Sequence, residues 1–546
     1  ARLAHHAEAA GERDAVLEYA QAAAVRAAAL GAHREAAAQY ARALRFAEGL
    51  PPAALAALLE RRAYQLFLAA EFDEAIATHE QSLAHHRMVG GPLAIGASLR
   101  AFSRILWCVG RIRDAEHNAQ EAVALLEQLP PGPELAMAYS GMSSIYLNDE
   151  NAAATHAWAA RALPLAERLN VVEATVQTLN NVGTINLLQG TPGGREQLEQ
   201  SLELAREAGL EEHVGRAFIH LAWTASRTHR FDMMDRVAEG LEYAGERDLY
   251  LWRLWLNAYR SRMDLDRGQW TEALAPAAFV AGARGASLSR VPALCVQALV
   301  AGRRGAAGAW PLLDEALALA EPTHQLQHIA PVAAARAELA WLVGDVATID
   351  PATREAFSLA LRARDPWTLG ELAYWRWRAG LLADPPPEAV APYARMIEGD
   401  WQSAERLWSE IGCPYETAFA LADSGDEEAL RRGLAIADRL GARPLAAMVS
   451  RKLREMGVRG IPRGPRPATR AHPAGLTSRE LELVPLLVQG LSNAEIAQRS
   501  YLAVKTVDNH VSSILSKLGA RRRVDVAREA VRLGLVPDAA GTAKAE

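Results

Sequence analysis

Apolar residues along most of the chain recur at intervals of three and four, as at Ala115, Ala119, Ala122, Leu125 and Leu126, whereas strict alternation is scarce. That spacing gathers the apolar side chains on one stripe of a helix and predicts an all-α protein. Breaks interrupt the helical text at a near-constant step: Gly31, Ala70, Gly110, Asp149, Gly190, His229 and Gly268 stand 39 to 41 residues apart. Similar text follows several of them, as in Gly31-Ala-His-Arg-Glu-Ala36, Ala70-Glu-Phe-Asp-Glu-Ala75, Gly110-Arg-Ile-Arg-Asp-Ala115 and Gly268-Gln-Trp-Thr-Glu-Ala273. A small residue, a few mostly polar ones and then alanine let a second helix pack closely on a first. Each period therefore predicts a helix pair.

A period near 40 built from helix pairs resembles tetratricopeptide-type repeats with lengthened helices. The resemblance implies a right-handed superhelix over residues 1–457 whose concave face binds something. Past about Ala286 the register blurs, although Gly344-Asp345, Gly399-Asp400-Trp401 and Gly425-Asp426 still read as turns. Arrays of this kind usually bind peptides or other domains, and a small-molecule pocket is the alternative. The effector at the repeat region is thus expected to be a protein or a small molecule.

Residues 458–475 hold four prolines, four arginines and no acid. Proline and glycine at this density exclude helix and predict an extended tether. Its arginines either lie along phosphates or are simply solvated. Beyond it, in residues 476–536, Thr477 and Glu480 form a capping box that starts a helix to about Val488, and Gly490 ends it. Ser492 and Glu495 repeat the device for a second helix to about Arg499. After a turn through Ser500, Tyr501 and Leu502, a third helix is expected from about Val504 to Leu518. Two short helices before a longer one make a helix-turn-helix, whose third helix lies in the major groove of double-stranded DNA. Val507, Val511, Ile514 and Leu518 form its buried stripe, and Lys505, Asp508, Asn509, Ser512 and Ser516 lie away from it. Asn509 suits adenine N6 and N7, Ser512 is a general donor or acceptor, and Lys505 with Thr506 suits phosphate. Lys517, Arg521, Arg522 and Arg523 extend the positive surface. Residues 537–546 read as a disordered tail.

The segment is similar to the C-terminal domain of LuxR-type bacterial transcription regulators. The likeness runs through Leu476-Thr-x-Arg-Glu480, Gly490-Leu-Ser-Asn-x-Glu-Ile-Ala497, Lys505-Thr-Val-x-x-His-Val511 and Ile514-Leu-x-Lys-Leu518. It implies a fourth helix at about 524–533 that pairs two modules on half-sites, with Val526, Ala530 and Leu533 as the matching apolar positions; packing inside the module is the other reading of that stripe. Against the family's pattern, Ala503 stands where a serine usually caps the third helix, a loss of about 0.5–2 kcal/mol of helix stability. Ser500 replaces a customary leucine, Pro485 interrupts the first helix, and Asp508 brings a carboxylate to a position that is often basic. The whole chain also resembles the large ATP-binding LuxR-type regulators, in Gly370-Glu-Leu-Ala-Tyr-Trp-Arg-Trp-Arg-Ala-Gly380 and Gly412-Cys-Pro-Tyr-Glu416 as well as at its end. No Gly-x-x-x-x-Gly-Lys-Ser/Thr loop is present to hold phosphates, so no ATP site and no cofactor are assigned. Since the chain opens at Ala1 rather than methionine, a nucleotide-binding module is expected to precede it.

Charge supports this division. Residues 458–536 carry 13 lysines and arginines against 6 aspartates and glutamates, a surplus of 7; with a chain total of −6, the remainder carries −13. A basic end on an acidic body fits a nucleic-acid reader on a scaffold that does not bind nucleic acid. Cys108, Cys295 and Cys413 are few, distant and in no Cys-x-x-Cys pair, which excludes a disulfide framework and a zinc site. With no signal peptide and no apolar run of membrane-spanning length, a cytoplasmic setting is expected. His79-Glu80 with His85 has the wrong spacing for a metalloprotease, His5-His6 reads as helix surface, and Trp375-Arg-Trp-Arg378 spreads around a helix rather than making a base-stacking face. No catalytic set stands out, so a non-enzymatic regulator, homodimeric on DNA, is the expected function. A repeat scaffold with a module that no longer reads DNA is the alternative.

Overall fold

The computed structural model describes residues 1–283, 288–459, 476–518, 520, 522–523, 525–533 and 535. It divides into two compact units, Ala1–Gly457 and Val458–Glu546. Every regular element among the described residues is helical, and no described helix is long and apolar enough to cross a membrane. Residues 460–475 of the proposed tether and the tail 537–546 lie outside the described residues.

The first unit is an array of antiparallel helix pairs, and the sequence breaks mark its turns. Gly31, Ala70, Gly110, Gly190, His229 and Gly268 all have positive φ. At the remaining break the left-handed residue is Glu150 (φ 54°), one position later than expected, because Asp149 still has helical dihedrals. The array also continues where the text blurs: Gly305, Gly344 and Gly380 take the same conformation at steps of 37, 39 and 36 residues. The alanines that close each repeated phrase, Ala36, Ala75, Ala115 and Ala273, have no exposed surface. They are the contact points between paired helices. Two glycines meet at one such close approach: a Cβ on Gly183 would lie 2.8 Å from both Gly194 O and Leu198 N.

Helices within each pair are not equivalent. The second helices bury one stripe, as Ile112–Leu126 does with Ala115, Ala119, Ala122, Val123 and Leu126, leaving Leu125 half-buried. The first helices are buried nearly all round, as in Pro133–Asn148, Val172–Leu188 and Glu211–Arg227, and pack against one another as an inner row. The row winds so tightly that successive turns touch. Tyr64 Oη donates to Glu212 at 2.7 Å, Gln327 Nε2 to Asn148 O at 2.9 Å and Gln189 Nε2 to Ala363 O at 3.4 Å, across 148, 179 and 174 residues. Roughly four repeats thus complete a turn.

Polar side chains caught inside this winding are paired. Arg227 Nη2 lies 3.0 Å from Glu150 and 2.8 Å from Asp365, and both carboxylates are almost fully buried. This triad ties together three segments that are distant in sequence. It also offsets the left-handed backbone at Glu150, which costs an L-residue about 1 kcal/mol or more. His79 is a core residue as well, stacked on Phe102 and 3.0 Å from Ser98 O. Trp375 is buried, while Arg378 reaches Tyr374 and Asp423.

Two outcomes test the triad. Arg227→Ala, which strands two buried carboxylates, is expected to lower stability by about 3–5 kcal/mol in chemical denaturation. Burial, reinforced by Asp365, pushes Glu150 up to about 7 against the pull of Arg227. A native group with a raised pKa holds its proton longer than the unfolded chain does, so its stabilisation is present in acid and fades as pH rises towards that value. Melting temperatures between about pH 5 and 8 should therefore fall more steeply in the parent than in Glu150→Gln.

Candidate nucleic-acid interface

The second unit has its own core of Leu476, Leu483, Val484, Leu487, Ile496, Val507, Val511, Ile514, Leu518, Val526 and others. Its first helix, Ser478–Val488, carries a complete capping box: Thr477 Oγ1 accepts from Glu480 N, and Glu480 accepts from Thr477 N at 2.7 Å. The second, Asn493–Arg499, has the same box from Ser492 and Glu495. Pro485 does not interrupt the first helix. Gln489 N still bonds Pro485 O at 3.0 Å, and Leu483, Val484 and Leu487 hold the segment in the core, so only the bond that a proline N–H cannot make is lost. Gly490 (φ 79°) ends the helix as expected.

The third helix, Val504–Leu518, buries Val507, Val511, Ile514 and Leu518 and nothing else. Lys505, Asp508, Asn509, Ser512 and Ser516 are exposed and Thr506 is half-buried. At its start the backbone carbonyl of Ala503 accepts from Thr506 N and Val507 N, but its methyl offers no side-chain cap. Tyr501 has a left-handed backbone (φ 53°) and is 96% exposed at the turn before the helix.

Glu480 does more than cap. Its carboxylate also receives Ser513 Oγ at 2.6 Å and Lys517 Nζ at 2.7 and 3.0 Å, which fastens the third helix to the start of the first. Burial opposes ionisation here, yet the donors from Lys517, Ser513 and Thr477 outweigh it and hold the carboxyl down to about 2. Lys517 is accordingly the counter-ion of a buried carboxylate and not a free phosphate ligand. Arg523 is likewise occupied, donating to Asn493 Oδ1 and to Leu491 O. Asn493 in turn donates to Asp508, so the carboxylate on the outer face has a neutral partner. Arg522 is exposed, and Arg521 lies outside the described residues.

In the fourth helix, Asp525–Arg532, Val526 and Ala530 have no exposed surface and belong to the module core, with Leu533 packed against it. Of the two readings of this stripe, core packing accounts for Val526 and Ala530, which leaves them no surface to offer a second copy. Sequence reasoning also missed Arg479, which donates to Ser500 O at 2.7 Å and pairs with Glu482, steadying the turn into the third helix. Its partner sits 21 residues away, with no local signal to reveal it.

Two capped helices that clamp a third, whose outer face is polar, define a helix-turn-helix DNA-binding module. Residues 474–530 match the family described as bacterial regulatory proteins, luxR family, and the module belongs to it. The same region is 50% identical over 60 residues to the DNA-binding transcriptional activator DevR/DosR of Mycobacterium tuberculosis, covering 11% of this chain and 28% of that protein. It is 48% identical over 60 residues to the transcriptional regulatory protein LnrK of Bacillus subtilis, covering 11% and 27%. Over 61 residues it is 44% identical to the response regulator protein VraR of Staphylococcus aureus, covering 11% and 29%. The matches span little more than a quarter of those relatives' length and leave the repeat unit unmatched.

Glu480 gives the module a pH dependence. A depressed native pKa means that the stabilisation is complete above the ordinary carboxylate range and is lost as pH falls from about 4.5 towards 2. Glu480→Gln is expected to cost on the order of 2–3 kcal/mol at pH 7 and to flatten that acid limb. Hydrogen exchange of the amides in Ser478–Val488 reads both effects.

Proposed function

We propose that this chain is a bacterial transcription regulator whose terminal module reads operator DNA through its third helix, under the control of the repeat unit. The observation that carries the reading is the exposed row Lys505, Asp508, Asn509, Ser512 and Ser516 opposite a wholly apolar buried stripe. In the major groove Asn509 pairs with an adenine edge, and Ser512 and Ser516 donate or accept. Asp508, held by Asn493, is placed to accept from cytosine N4. Lys505 and Arg522 neutralise phosphates, and the Thr506 hydroxyl donates to one.

Paired modules on half-sites, as the family resemblance implies, need a surface other than Val526 and Ala530. The half-buried Ala527, Val531 and Leu533 on the fourth helix are the side chains left for it. The repeat unit receives a protein or small-molecule effector, and the family's function in transcription regulation supports a non-enzymatic role for the whole.

Duplex binding measured against salt tests the proposal. A steep fall of affinity with rising salt is expected. Asn509→Ala should lose about 1–3 kcal/mol on the operator and little on random duplex, whereas Arg522→Ala should weaken both alike. Equal losses on both duplexes for Asn509→Ala would remove it from base reading. No duplex binding at low salt would favour a repeat scaffold whose module has ceased to read DNA.

A further inference from the structure

Most arginines buried in the repeat unit stand against carboxylates, as Arg227 does with Glu150 and Asp365 and Arg303 with Glu338. A different arrangement surrounds a cavity of about 140 Å³ on the inner row, lined by Arg100, Arg104 and Arg216. Arg100 and Arg104 lie one turn apart on the helix Pro92–Cys108, and Arg216 comes from Glu211–Arg227. Arg104 pairs with Glu212. Arg216 donates to the uncharged hydroxyl of Ser144 at 2.9 Å, and Arg100 buries an Nε that meets no acceptor among the described residues. The carboxylate in the lining, Glu173, lies 3.2 Å from His213 Nε2. Glu173, with Glu134 and Glu60, acts on Arg100, and Glu212 pairs with Arg104, whereas no carboxylate acts on Arg216 among the described residues.

Burial, with the charge of Arg104 added to it, pushes Arg216 down to about 9, with no carboxylate opposing the shift. Burial lowers Arg100 and Arg104 as well, but carboxylates oppose it at both. The walls are aromatic: Trp107, Trp223 and Trp255 face the same space, and Trp107 buries an indole N–H that finds no acceptor among the described residues. A second cavity of about 60 Å³ shares Trp223 and Trp255 and extends the first.

The geometry points to a binding site for a small aromatic monocarboxylate, its carboxylate held by Arg100 and Arg216 and its ring set among the indoles. A guanidinium fork matches a carboxylate in shape and charge, and indole faces take a flat apolar body. The volume is roughly that in which an apolar cavity holds one benzene ring. A carboxylate on the ligand gives Arg216 the anionic partner that the lining does not supply, and a neutral ligand does not. The site gives a chemical class to the effector; its regulatory meaning rests on the proposed function, whereas binding itself does not.

Titration of the full chain without DNA, followed by heat and by tryptophan fluorescence, tests the site with phenylacetate, phenylacetamide and inorganic phosphate. Phenylacetate is expected to bind saturably, about tenfold or more tighter than either of the others. Arg216→Met and Arg100→Met should each weaken phenylacetate about tenfold, and Arg216→Met should melt no lower than the parent, since it removes a buried charge that faces no carboxylate. Absence of saturable phenylacetate binding up to about 10 mM would overturn the assignment. So would equal affinity for the amide or for phosphate, or unchanged affinity in both variants. Because no DNA is present, a failure here leaves the DNA-reading proposal standing, and the reverse holds too.

Discussion

Close approach of helix backbones, renewed every 40 residues or so, is the constraint on which the repeat unit depends. Where Ala36, Ala75, Ala115 and Ala273 meet a partner helix, and where Gly183 meets Gly194, a larger side chain would push the pair apart. Tight pairs give an inner row with little room between its members, and the row then closes on itself after roughly four repeats. One consequence is that first helices such as Glu211–Arg227 have almost no solvent face. Another is that the long polar side chains they carry must find partners inside.

Those partners set the register of the winding. Arg227 joins Glu150 and Asp365 from far along the chain, Arg303 joins Glu338 on the neighbouring inner helix, and both sets are nearly sealed from water. Ion pairs in such places add little net stability over well-packed apolar residues, but breaking one is costly. Their effect is therefore to penalise any slipped winding that would strand a charge. Gly215 shows the same intolerance in packing terms: a Cβ there would sit 2.4 Å from Trp252 Cδ1. Against this background the Arg100, Arg104 and Arg216 cluster differs, since Arg216 meets a serine hydroxyl where the other buried arginines meet carboxylates.

How much of this was legible in the sequence follows from the range of each interaction. Helix pairs, their breaks and both capping boxes are written within a few residues, and they stand where the text put them, with the Asp149 break displaced by one residue. The stripe Val507, Val511, Ile514, Leu518 was equally local. Past Ala286 the register blurred in the text because the phrase around Gly305 lacks the repeated alanine pattern, although its backbone makes the same turn. Pro485 read as an interruption because local propensity ignores a core that holds both sides of it. The cavity was invisible, since its arginines come from positions 100 and 216 and meet only through the winding.

The module shows why counting charges overstates a DNA-binding surface. Lys517 looks like a phosphate ligand by composition, yet Glu480 takes it up; Arg523 looks the same, yet the turn at Leu491 and the side chain of Asn493 take it up. Arg479 is committed to Glu482 and Ser500. Each of these cations fixes the third helix from a different side, so the positive charge near the groove is partly the scaffold that aims it. Asn493 joins the two roles, touching Arg523 behind the helix and Asp508 on its outer face. A carboxylate held in that way is oriented before DNA arrives, and an oriented acceptor discriminates between bases more sharply than a mobile one, because the cost of fixing it has already been met in folding. On the proposed reading of DNA, Asp508 thus exchanges general attraction to phosphate for selectivity at one base pair.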